Sequence, residues 1–473
     1  MEIKLLGLTT KDAVDEQVRI CAAAGKLSRM KGTVFDAVDS FESNEKALKF
    51  VNRVIDMGHT ATIDHDYLVF AISGVSPVVE QTIIEERFSS FTIKSRREVD
   101  FSNSKYYVPD FHDENDKIHP DNEKLKAEYI KFMDDAFAGY SKLVDAGIKK
   151  EDARFVLPYS FPSEIIMGVD ATTLVRMINS FTKGRLSKIT ELKEFGEKLE
   201  KICLERAPYM KTLLDKEVKD TVSPVEEELN KLDIKRGYEL INDPVLVSYT
   251  PDMDKTLFIN AISRYYGVSY DNATKVYEEK IAGNKDVEAR LMKAIFAERD
   301  HDDLRQVNMK FNFSIPYAIL THITRHRRVS LSIPPFAPNP DLTKYVTPPS
   351  IKNSDENEFY EELFANSNEI RERFKKLGVR DEDLIYFILG GNSVNVVANF
   401  DGEAFRWICR LRECTKAQWC IREAVLGMHK ELEKEDSCKY FTDNLGPDCV
   451  TLGICGEGKE SCGRVNALTR KKD

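Results

Sequence analysis

The segment Thr321-His-Ile-Thr-Arg-His-Arg-Arg-Val-Ser-Leu-Ser332 places four consecutive basic side chains at the end of an apolar run. Arg keeps its charge at neutral pH, and its planar fork of donors suits a phosphate or a polarised carbonyl. Such a cluster is a costly end to an apolar segment unless an anion or an electron-rich ring lies opposite. The segment therefore predicts a binding site for such a group. The alternative is a solvated helix end with cations near its C-terminus.

The composition around this segment is that of a soluble globular protein with two domains. The chain has 473 residues, of which 42% are hydrophobic and 31% are charged, and a single core rarely grows to this size. The net charge of -10 argues against general coating of nucleic acid. No stretch has the roughly 18 apolar residues of a membrane helix, and the start does not resemble a signal peptide. We expect a cytoplasmic protein without nucleic-acid or membrane partners.

The order of predicted elements occurs twice along the chain. An opening strand is matched by residues 244–250, the apolar run 67–79, predicted as a strand, is matched by the strand-like run 309–323, and helices that end before Gly147 and Gly378 correspond. This is an internal duplication at domain scale. We predict an α/β (α+β) fold of two tandem copies, each a sheet with flanking helices. The expected segments are a first domain 1–212, a charged connector 213–240, a second domain 241–435 and a Cys-rich tail 436–473.

Two motifs of the second half resemble the flavin-dependent thymidylate synthases. Arg325-His-Arg-x-x-Ser330 is similar to the Arg-His-Arg-x-x-Ser signature of that family, and Leu411-Arg412 with Ala417-Gln418-Trp419 resembles its later Leu-Arg…Ala-Gln-Trp helix. The first half resembles the same family at several further positions. These are Gly58-His59…Asp64-His65, Gln81, Ser89, Arg96, Tyr107-Val-Pro109 and Ala153-Arg154-x-x-Leu-Pro158.

The resemblance implies an enzyme that methylates dUMP to dTMP with FAD as cofactor and with methylene-tetrahydrofolate and NADPH as co-substrates. It implies that the Arg-His-Arg segment and the later helix hold FAD, and that the Arg of that helix contacts the uracil ring. It also implies that a Gln, a Ser-x-Arg and an Arg before Leu-Pro hold the nucleotide phosphate. The expected residues are Arg412 for catalysis; Gln81, Lys94, Arg96 and Arg154 for the dUMP-like substrate; and His59, Asp64, Arg325, His326, Arg327, Ser330 and Lys416 for the cofactor.

The two halves depart from the family pattern in complementary ways. In the first half Ile84-Glu85-Glu86 replaces the triplet and Phe181 replaces the helix Arg, and two carboxylates would repel a flavin diphosphate. In the second half the triplet and Arg412 remain, but the phosphate positions have lost most of their charge. They read His322, Pro335, Ala337 and Tyr386. We therefore expect a homodimer, pseudo-tetrameric in arrangement, whose sites combine first-half phosphate residues with second-half flavin residues.

Several of these residues have a structural alternative. Arg325 and Arg327 can form ion pairs with nearby carboxylates, and Ser330 can cap a helix. His59 and Asp64 can belong to an ordinary turn. A plain surface position is the alternative for two lysines, Lys94 and Lys416.

Two positions bear on whether the family chemistry survives. Asp170 and Asp401 stand where the family favours Asn, and an ionised carboxylate cannot donate to a flavin carbonyl. Two alternatives to thymidylate synthesis therefore stay open. One is a divergent enzyme that modifies another pyrimidine nucleotide, and the other is a nucleotide-binding pseudoenzyme without flavin.

The nine cysteines are interpreted as thiols or metal ligands rather than disulfides. Four of them lie among Gly and Pro in the tail and could close a tetrahedral structural zinc site. These are Cys438, Cys449, Cys455 and Cys462. The alternative is free or redox-active thiols. Cys409, Cys414 and Cys420 are expected on the helix around Arg412 as small buried groups.

Overall fold

The computed structural model describes residues 1–9, 14–215, 223–232, 239–337 and 341–465. Much of the predicted connector 213–240 lies outside the described residues. None of the helices in these ranges is long and apolar enough to cross a membrane. The first half contains strands β1 (Glu2–Gly7), β2 (Tyr67–Val75), β3 (Ser89–Ile93) and β4 (Ser163–Asp170), and helices α1 (Val14–Leu27), α2 (Val34–Asp39), α3 (Asn44–Asp56), α4 (Pro77–Ile84), α5 (Asn122–Asp145), α6 (Lys150–Ala153), α7 (Ala171–Thr182), α8 (Thr190–Arg206), α9 (Lys211–Leu214) and α10 (Pro224–Asn230).

The second half repeats this order with one additional short helix between its third strand and its longest helix. Its strands are β5 (Val245–Tyr249), β6 (Asn308–Pro316), β7 (Ser330–Ser332) and β8 (Ser393–Asp401). Its helices are α11 (Met253–Tyr266), α12 (Tyr270–Lys280), α13 (Lys285–Ala297), α14 (Tyr317–Thr324), α15 (Pro349–Lys352), α16 (Asn357–Lys376), α17 (Asp381–Leu384), α18 (Gly402–Arg412), α19 (Trp419–Glu433), α20 (Lys439–Thr442) and α21 (Asp448–Thr451).

Two four-stranded antiparallel sheets have the same topology. The strand orders are β1-β2-β4-β3 and β5-β6-β8-β7. In each sheet a central strand, β2 in the first and β8 in the second, alternates between buried and more exposed side chains, which is the pattern of a sheet with one face against a core. The predicted α/β (α+β) fold of two related copies is therefore confirmed.

The apolar runs 67–79 and 309–323 each contain a strand followed by a helix. The prediction of an unbroken strand was wrong, because a proline sets a helix start inside each run. Ser76 caps α4, its Oγ accepting from the backbone N–H of Val78 at 3.2 Å, and Pro77 occupies the first turn. In the second run Pro316 stands at the cap of α14. Proline fixes φ at a helical value and ends the strand ladder, since it has no N–H to donate.

The chain folds into two compact units that do not follow its two halves. The first unit comprises residues 1–238, 336–343 and 347–390, and the second comprises 239–335, 344–346 and 391–473. In the first unit α16 packs closely on α5, where a Cβ on Gly139 would lie 2.7 Å from the ring of Phe359. Phe387 packs against Tyr129 with ring centroids 5.4 Å apart. Helices from the second half of the sequence thus complete the core of the first unit.

Candidate active site

In the second unit, the ends of α14 and α18 bring the two sequence motifs together. The Nε–H of Arg412 donates to Nε2 of His326 at 3.2 Å, and its Nη2 donates to the carbonyl oxygen of His322 at 3.2 Å. Both acceptors belong to the turn at the C-terminal end of α14. The Arg412 guanidinium is therefore held at two of its nitrogens, which fixes the plane of its donor fork.

His326 is a neutral base at this position. Its side chain is buried, and burial together with the charges of Arg412 and Arg325 lowers its pKa to about 3. At neutral pH the Nε2 lone pair accepts from Arg412, so the ring proton is on Nδ1. The imidazole can align Arg412 and present a flat ring, but it cannot deliver a proton as an imidazolium.

The neighbouring arginines differ in the contacts that the structure shows for them. Arg325 and Arg327 are exposed, whereas Nη2 of Arg328 donates to Asp401 Oδ2 at 3.2 Å. Ser330 opens strand β7 opposite Asn399. Because no helix begins at Ser330, the helix-capping alternative for this residue is wrong.

Asp401 and Asp170 are equivalent helix caps. The side chain of Asp401 accepts from the backbone N–H of Ala404 at 2.7 Å, and that of Asp170 accepts from Thr173 at 2.8 Å. Asp and Asn perform this function about equally well. The capping role seen at both positions is therefore compatible with either residue and does not depend on flavin chemistry.

Lys416 lies in a turn rather than on a helix. The helix expected around Arg412, from Cys409 to Cys420, is interrupted, since α18 ends at Arg412 and α19 begins at Trp419. The cause is Gln418, whose Oε1 accepts from the backbone N–H groups of Cys420 and Ile421 and so caps a new helix. The Lys416 ammonium is exposed and lies 3.7 Å from the Glu460 carboxylate in the tail.

In the first unit, Arg96 forms a buried ion pair that the sequence did not predict. Its guanidinium contacts the carboxylate of Glu80, which also accepts from the Ser163 hydroxyl. The guanidinium lies over the ring of Phe161 at 4.8 Å. A signal was present in the sequence, because Glu80 is a charge within the apolar segment Pro77-Val-Val-Glu80 and needs a partner when buried. Arg96 is thus partly neutralised before any ligand binds.

Arg154 is the buried cation of this region. Its Nε–H donates to the carbonyl oxygen of Glu151 at 3.1 Å. Burial and the nearby charges of Arg96 and Arg97 lower its pKa to about 9. An anion placed among these three arginines would relieve the repulsion between them, which favours a phosphate ligand.

Gln81 and Lys94, the other two residues predicted to bind the substrate, make different contacts in the first unit. The Gln81 side chain donates to the Glu85 carboxylate at 2.8 Å. Its own Oε1 is buried with no hydrogen-bond partner among the described residues, which is a cost that a ligand could remove. The Lys94 ammonium lies 5.7 Å from the ring centroid of Phe101.

His59 and Asp64 flank one short turn. His59 precedes the 3-10 turn Thr60–Ile63 without a side-chain cap, and Asp64 ends it. Both side chains are exposed in the first unit. The geometry gives neither residue a contact that assigns it to a cofactor.

Comparison of the two halves changes one predicted correspondence. Arg154 opens the 3-10 turn Arg154–Val156, and Ile385 opens the matching turn Ile385–Phe387. The second-half residue that corresponds to Arg154 is therefore Ile385 rather than Tyr386. In both assignments the second half has no cation at this position.

The tail cysteines are not arranged as the sequence indicated. Cys438 is buried, with its sulfur 3.9 Å from the Ser437 hydroxyl, and is not among the described residues that line the cavity containing the others. Cys414, from the turn after α18, takes its place there. The sequence prediction missed Cys414 because it assumed a continuous helix.

Two regions of the chain match one known protein family. A family model described as "Thymidylate synthase complementing protein" matches residues 10–209 and 245–436. A flavin-dependent thymidylate synthase of Nitratidesulfovibrio vulgaris is 30% identical over 139 residues, which are 28% of this chain and 54% of that relative. Thus the chain spans about half the length of this relative.

Other relatives are matched over nearly their full length. A flavin-dependent thymidylate synthase of Haloarcula marismortui is 25% identical over 245 residues, 46% of this chain and 97% of the relative. One of Thermococcus onnurineus is 26% identical over 223 residues, 45% of this chain and 89% of the relative. A crystal structure of a UMP/dUMP methylase from Streptomyces cacaoi bound with 5-Br dUMP shares 20% identity at a TM-score of 0.37, covering 47% of this chain and 97% of that one.

Proposed function

Since the chain belongs to the thymidylate synthase complementing protein family, we propose that it methylates the uracil ring of deoxyuridylate to give thymidylate. Its curated relatives are named flavin-dependent thymidylate synthases. The observation that carries the proposal is the hydrogen bond from Arg412 to His326, because residues 86 positions apart in two family motifs meet in the second unit. An Arg-His-Arg segment that only formed a solvated helix end would not require a contact with Arg412.

The donors around this contact suit a flavin dinucleotide. Arg325 and Arg327 offer exposed guanidinium N–H groups, which match the oxygens of a diphosphate. His326 offers a neutral imidazole, and Ser330 offers a hydroxyl at the start of β7. We assign FAD to these residues, with Lys416 near a phosphate. When bound, the reduced flavin supplies the hydride, methylene-tetrahydrofolate supplies the one-carbon unit, and NADPH supplies the reducing equivalents.

Arg412 is the residue we assign to the uracil ring. A guanidinium stabilises negative charge on a carbonyl oxygen, and such charge develops on uracil when its ring is activated for substitution. The carbonyl of His322 and the ring of His326 hold this guanidinium in place. This chain then needs no covalent nucleophile, because the fixed positive charge does the activating.

We assign the nucleotide phosphate to the first-unit cluster. Arg154 is the main candidate, because its buried charge lies close enough to Arg96 and Arg97 for them to lower its pKa. Arg96 contributes from its ion pair with Glu80, and Lys94 and Gln81 complete the set. A phosphate dianion would add negative charge beside Arg154, whose neighbours Arg96 and Arg97 are already paired with Glu80 and Glu151.

The two residue sets belong to one reaction in this proposal. The first half keeps the phosphate residues and carries Glu85 and Glu86 in place of the triplet, whereas the second half keeps the triplet and Arg412. The Glu86 carboxylate is paired with Arg176, so the acidic substitution has its own partner within the first unit. We propose a homodimer in which each working site takes one set from each type of unit, with one flavin per chain.

The absorbance spectrum of the purified full chain and a product assay test this function together. We expect a yellow protein that binds about one FAD per chain and forms dTMP from dUMP, methylene-tetrahydrofolate and NADPH. The Arg412→Gln variant should keep the yellow colour and lose the product. A colourless protein that fails to bind added FAD would contradict the proposal in favour of a pseudoenzyme. Methylation of another pyrimidine nucleotide, with dUMP inert, would contradict the substrate.

A further inference from the structure

Four cysteine side chains line one small cavity in the second unit, where the proposed reaction uses none of them. They are Cys414, Cys449, Cys455 and Cys462. The cavity has a volume of about 20 Å³, which is room for about one water-sized atom. All four are free thiols. Four thiolates around a space for one atom are the ligand set of a tetrahedral structural zinc ion, and we propose that these four residues bind Zn²⁺.

The other side chains of the cavity match the charge of such a complex. A zinc ion with four thiolates carries a net negative charge, because each thiolate contributes one unit. Three charged side chains also line the cavity, namely Lys416, Arg464 and Glu457, so two cations and one carboxylate stand beside the expected anion. Soft thiolates favour zinc over magnesium or calcium, which prefer oxygen ligands. A space for about one atom favours a single metal ion over an iron–sulfur cluster, which holds several metal and sulfur atoms.

The local backbone allows the three tail cysteines to face one point. Cys449 lies on the short helix α21, and Gly453 and Gly458 follow with φ of 72° and 52°. These left-handed conformations are favourable for glycine and permit tight turns between Cys449 and Cys462. The segment therefore has the tight turns that a zinc-binding loop needs.

A tighter group of metal-ligand atoms exists nearby but does not need an ion. Ligand atoms of Cys409, Glu413 and His429 lie within 4.8 Å of one another. However, Nε2 of His429 contacts the Thr442 carbonyl at 3.3 Å, and Nδ1 contacts Glu413 at 2.8 Å. Both ring nitrogens are engaged in hydrogen bonds, so this group is satisfied as a buried carboxylate–imidazole pair.

The zinc site would fasten the tail to the turn that follows Arg412. Cys414 is the one ligand from outside the tail, and it lies two residues after Arg412. A second attachment is present beside it, since Arg410 donates from Nη2 to the Asp448 carboxylate at 2.8 Å. Metal binding would draw residues 449–462 onto the turn and restrict it. The expected zinc content of the chain does not depend on whether flavin or nucleotide is bound.

Metal analysis of the full chain, purified under reducing conditions without chelator, tests the site. We expect about one zinc per chain, and loss of most of it in Cys414→Ser and Cys462→Ser. Cys462 is exposed, so its replacement should not disturb packing. Cys438→Ser and Cys409→Ala are matched controls and should keep the metal. Protein reconstituted with Co²⁺ should show the visible absorption of a four-thiolate site, and it should disappear in the same two variants.

Three results would overturn the site. The first is a chain with no zinc that also takes up no Co²⁺ after reduction. The second is zinc lost in Cys438→Ser or Cys409→Ala but kept in Cys414→Ser, which would place the metal elsewhere. The third is iron in place of zinc. Counting reactive thiols before and after chelation guards against misfolded variants, because chelation of the unmutated protein should expose about four more thiols.

Discussion

At the residue scale, the role proposed for Arg412 depends on the shape of its guanidinium group as much as on its charge. Lys would keep the charge, but one ammonium cannot reach His326 Nε2, the His322 carbonyl and a uracil oxygen together. We therefore expect Arg412→Lys to lower kcat for dTMP formation by about 100-fold or more, with flavin absorbance retained. Steady-state kinetics with a flavin spectrum measure both. Arg406→Lys on the same helix is the control, and equal losses in both variants would contradict the role of Arg412.

His326 should remain uncharged throughout the working pH range. Burial and the charges of Arg412 and Arg325 disfavour its imidazolium and lower its pKa to about 3. NMR of ¹⁵N-labelled histidine should show no titration of this ring between about pH 5 and about pH 8. In Arg412→Gln one repelling charge is lost, so the pKa of His326 should rise. A midpoint near the ordinary histidine pKa in the unmutated protein would contradict the neutral assignment.

We expect Arg154 to strengthen dUMP binding while lowering the thermal stability of the fold. It is buried among like charges that lower its pKa, so Arg154→Met should leave the thermal midpoint unchanged or higher. The same variant should bind dUMP about 10- to 100-fold more weakly, because a charge-assisted contact to phosphate is lost. Calorimetric titration and thermal unfolding separate the two effects.

The control for Arg154 is its neighbour Arg97. Arg97 donates from Nε to the Glu151 carboxylate at 2.8 Å and is less buried, so Arg97→Met should change dUMP binding much less. Deoxyuridine, which lacks the phosphate, should bind the two variants alike. A clear destabilisation of Arg154→Met with unchanged dUMP affinity would show a purely structural arginine.

At the element scale, the start of α8 is held by a buried carboxyl group. Glu191 accepts from the backbone N–H of Ser76 at 2.8 Å and from the Tyr386 hydroxyl at 3.1 Å. Burial raises its pKa to about 7. This contact joins α8, the cap of α4 and the turn after α17 within the first unit. The helix start is therefore sensitive to pH.

The sign of this sensitivity follows from proton linkage. The folded pKa lies above that of the unfolded chain, so stability is fully present at low pH and is lost as the pH rises towards about 7. Glu191→Gln cannot ionise. Its stability relative to the unmutated protein should increase between about pH 5 and about pH 7 by up to roughly 3 kcal/mol and then level off.

Urea unfolding at a series of pH values measures this difference. Glu194→Gln, an exposed position on the same helix, should show no comparable change with pH. A stability difference between Glu191→Gln and the unmutated protein that stays constant across this range would exclude a raised pKa at Glu191.

At the scale of the whole molecule, the proposed sites take their two residue sets from different subunits. At a low, subsaturating dUMP concentration, Arg154→Met and Arg412→Gln should each remove most of the activity of the homodimer. A heterodimer of one chain of each kind, purified through two different tags, should recover about half of the unmutated activity. The reason is that one of its two sites combines an intact Arg154 with an intact Arg412.

The reciprocal heterodimer is the control. One chain carrying both substitutions, paired with an unmutated chain, should lose most of its activity because each site then lacks one arginine. Sites built within a single chain would reverse the two results. Failure of tagged chains to associate at all would contradict the homodimer.

Much of the architecture could be predicted from local sequence signals. Gly147 and Gly378 follow the ends of α5 and α16 with φ of 84° and 91°. These two helix ends were correctly predicted, because the left-handed conformation that often ends a helix is adopted readily by glycine and by few other residues. The strand lengths were less accurate in the two apolar runs, since apolar composition alone does not distinguish a buried strand from a buried helix.

The sequence by itself determined the family, the duplication and the complementary loss of residues in the two halves, because these depend only on residue types and their order. Tertiary structure alone decided which distant groups meet. In the folded chain Arg96 pairs with Glu80, and α16 belongs to the first unit although it lies in the second half of the sequence. Cys414, rather than the predicted Cys438, lines the cysteine cavity. The physical reason is that side-chain contacts between distant segments depend on where helices end and how they pack, and neither is encoded in the spacing of a motif.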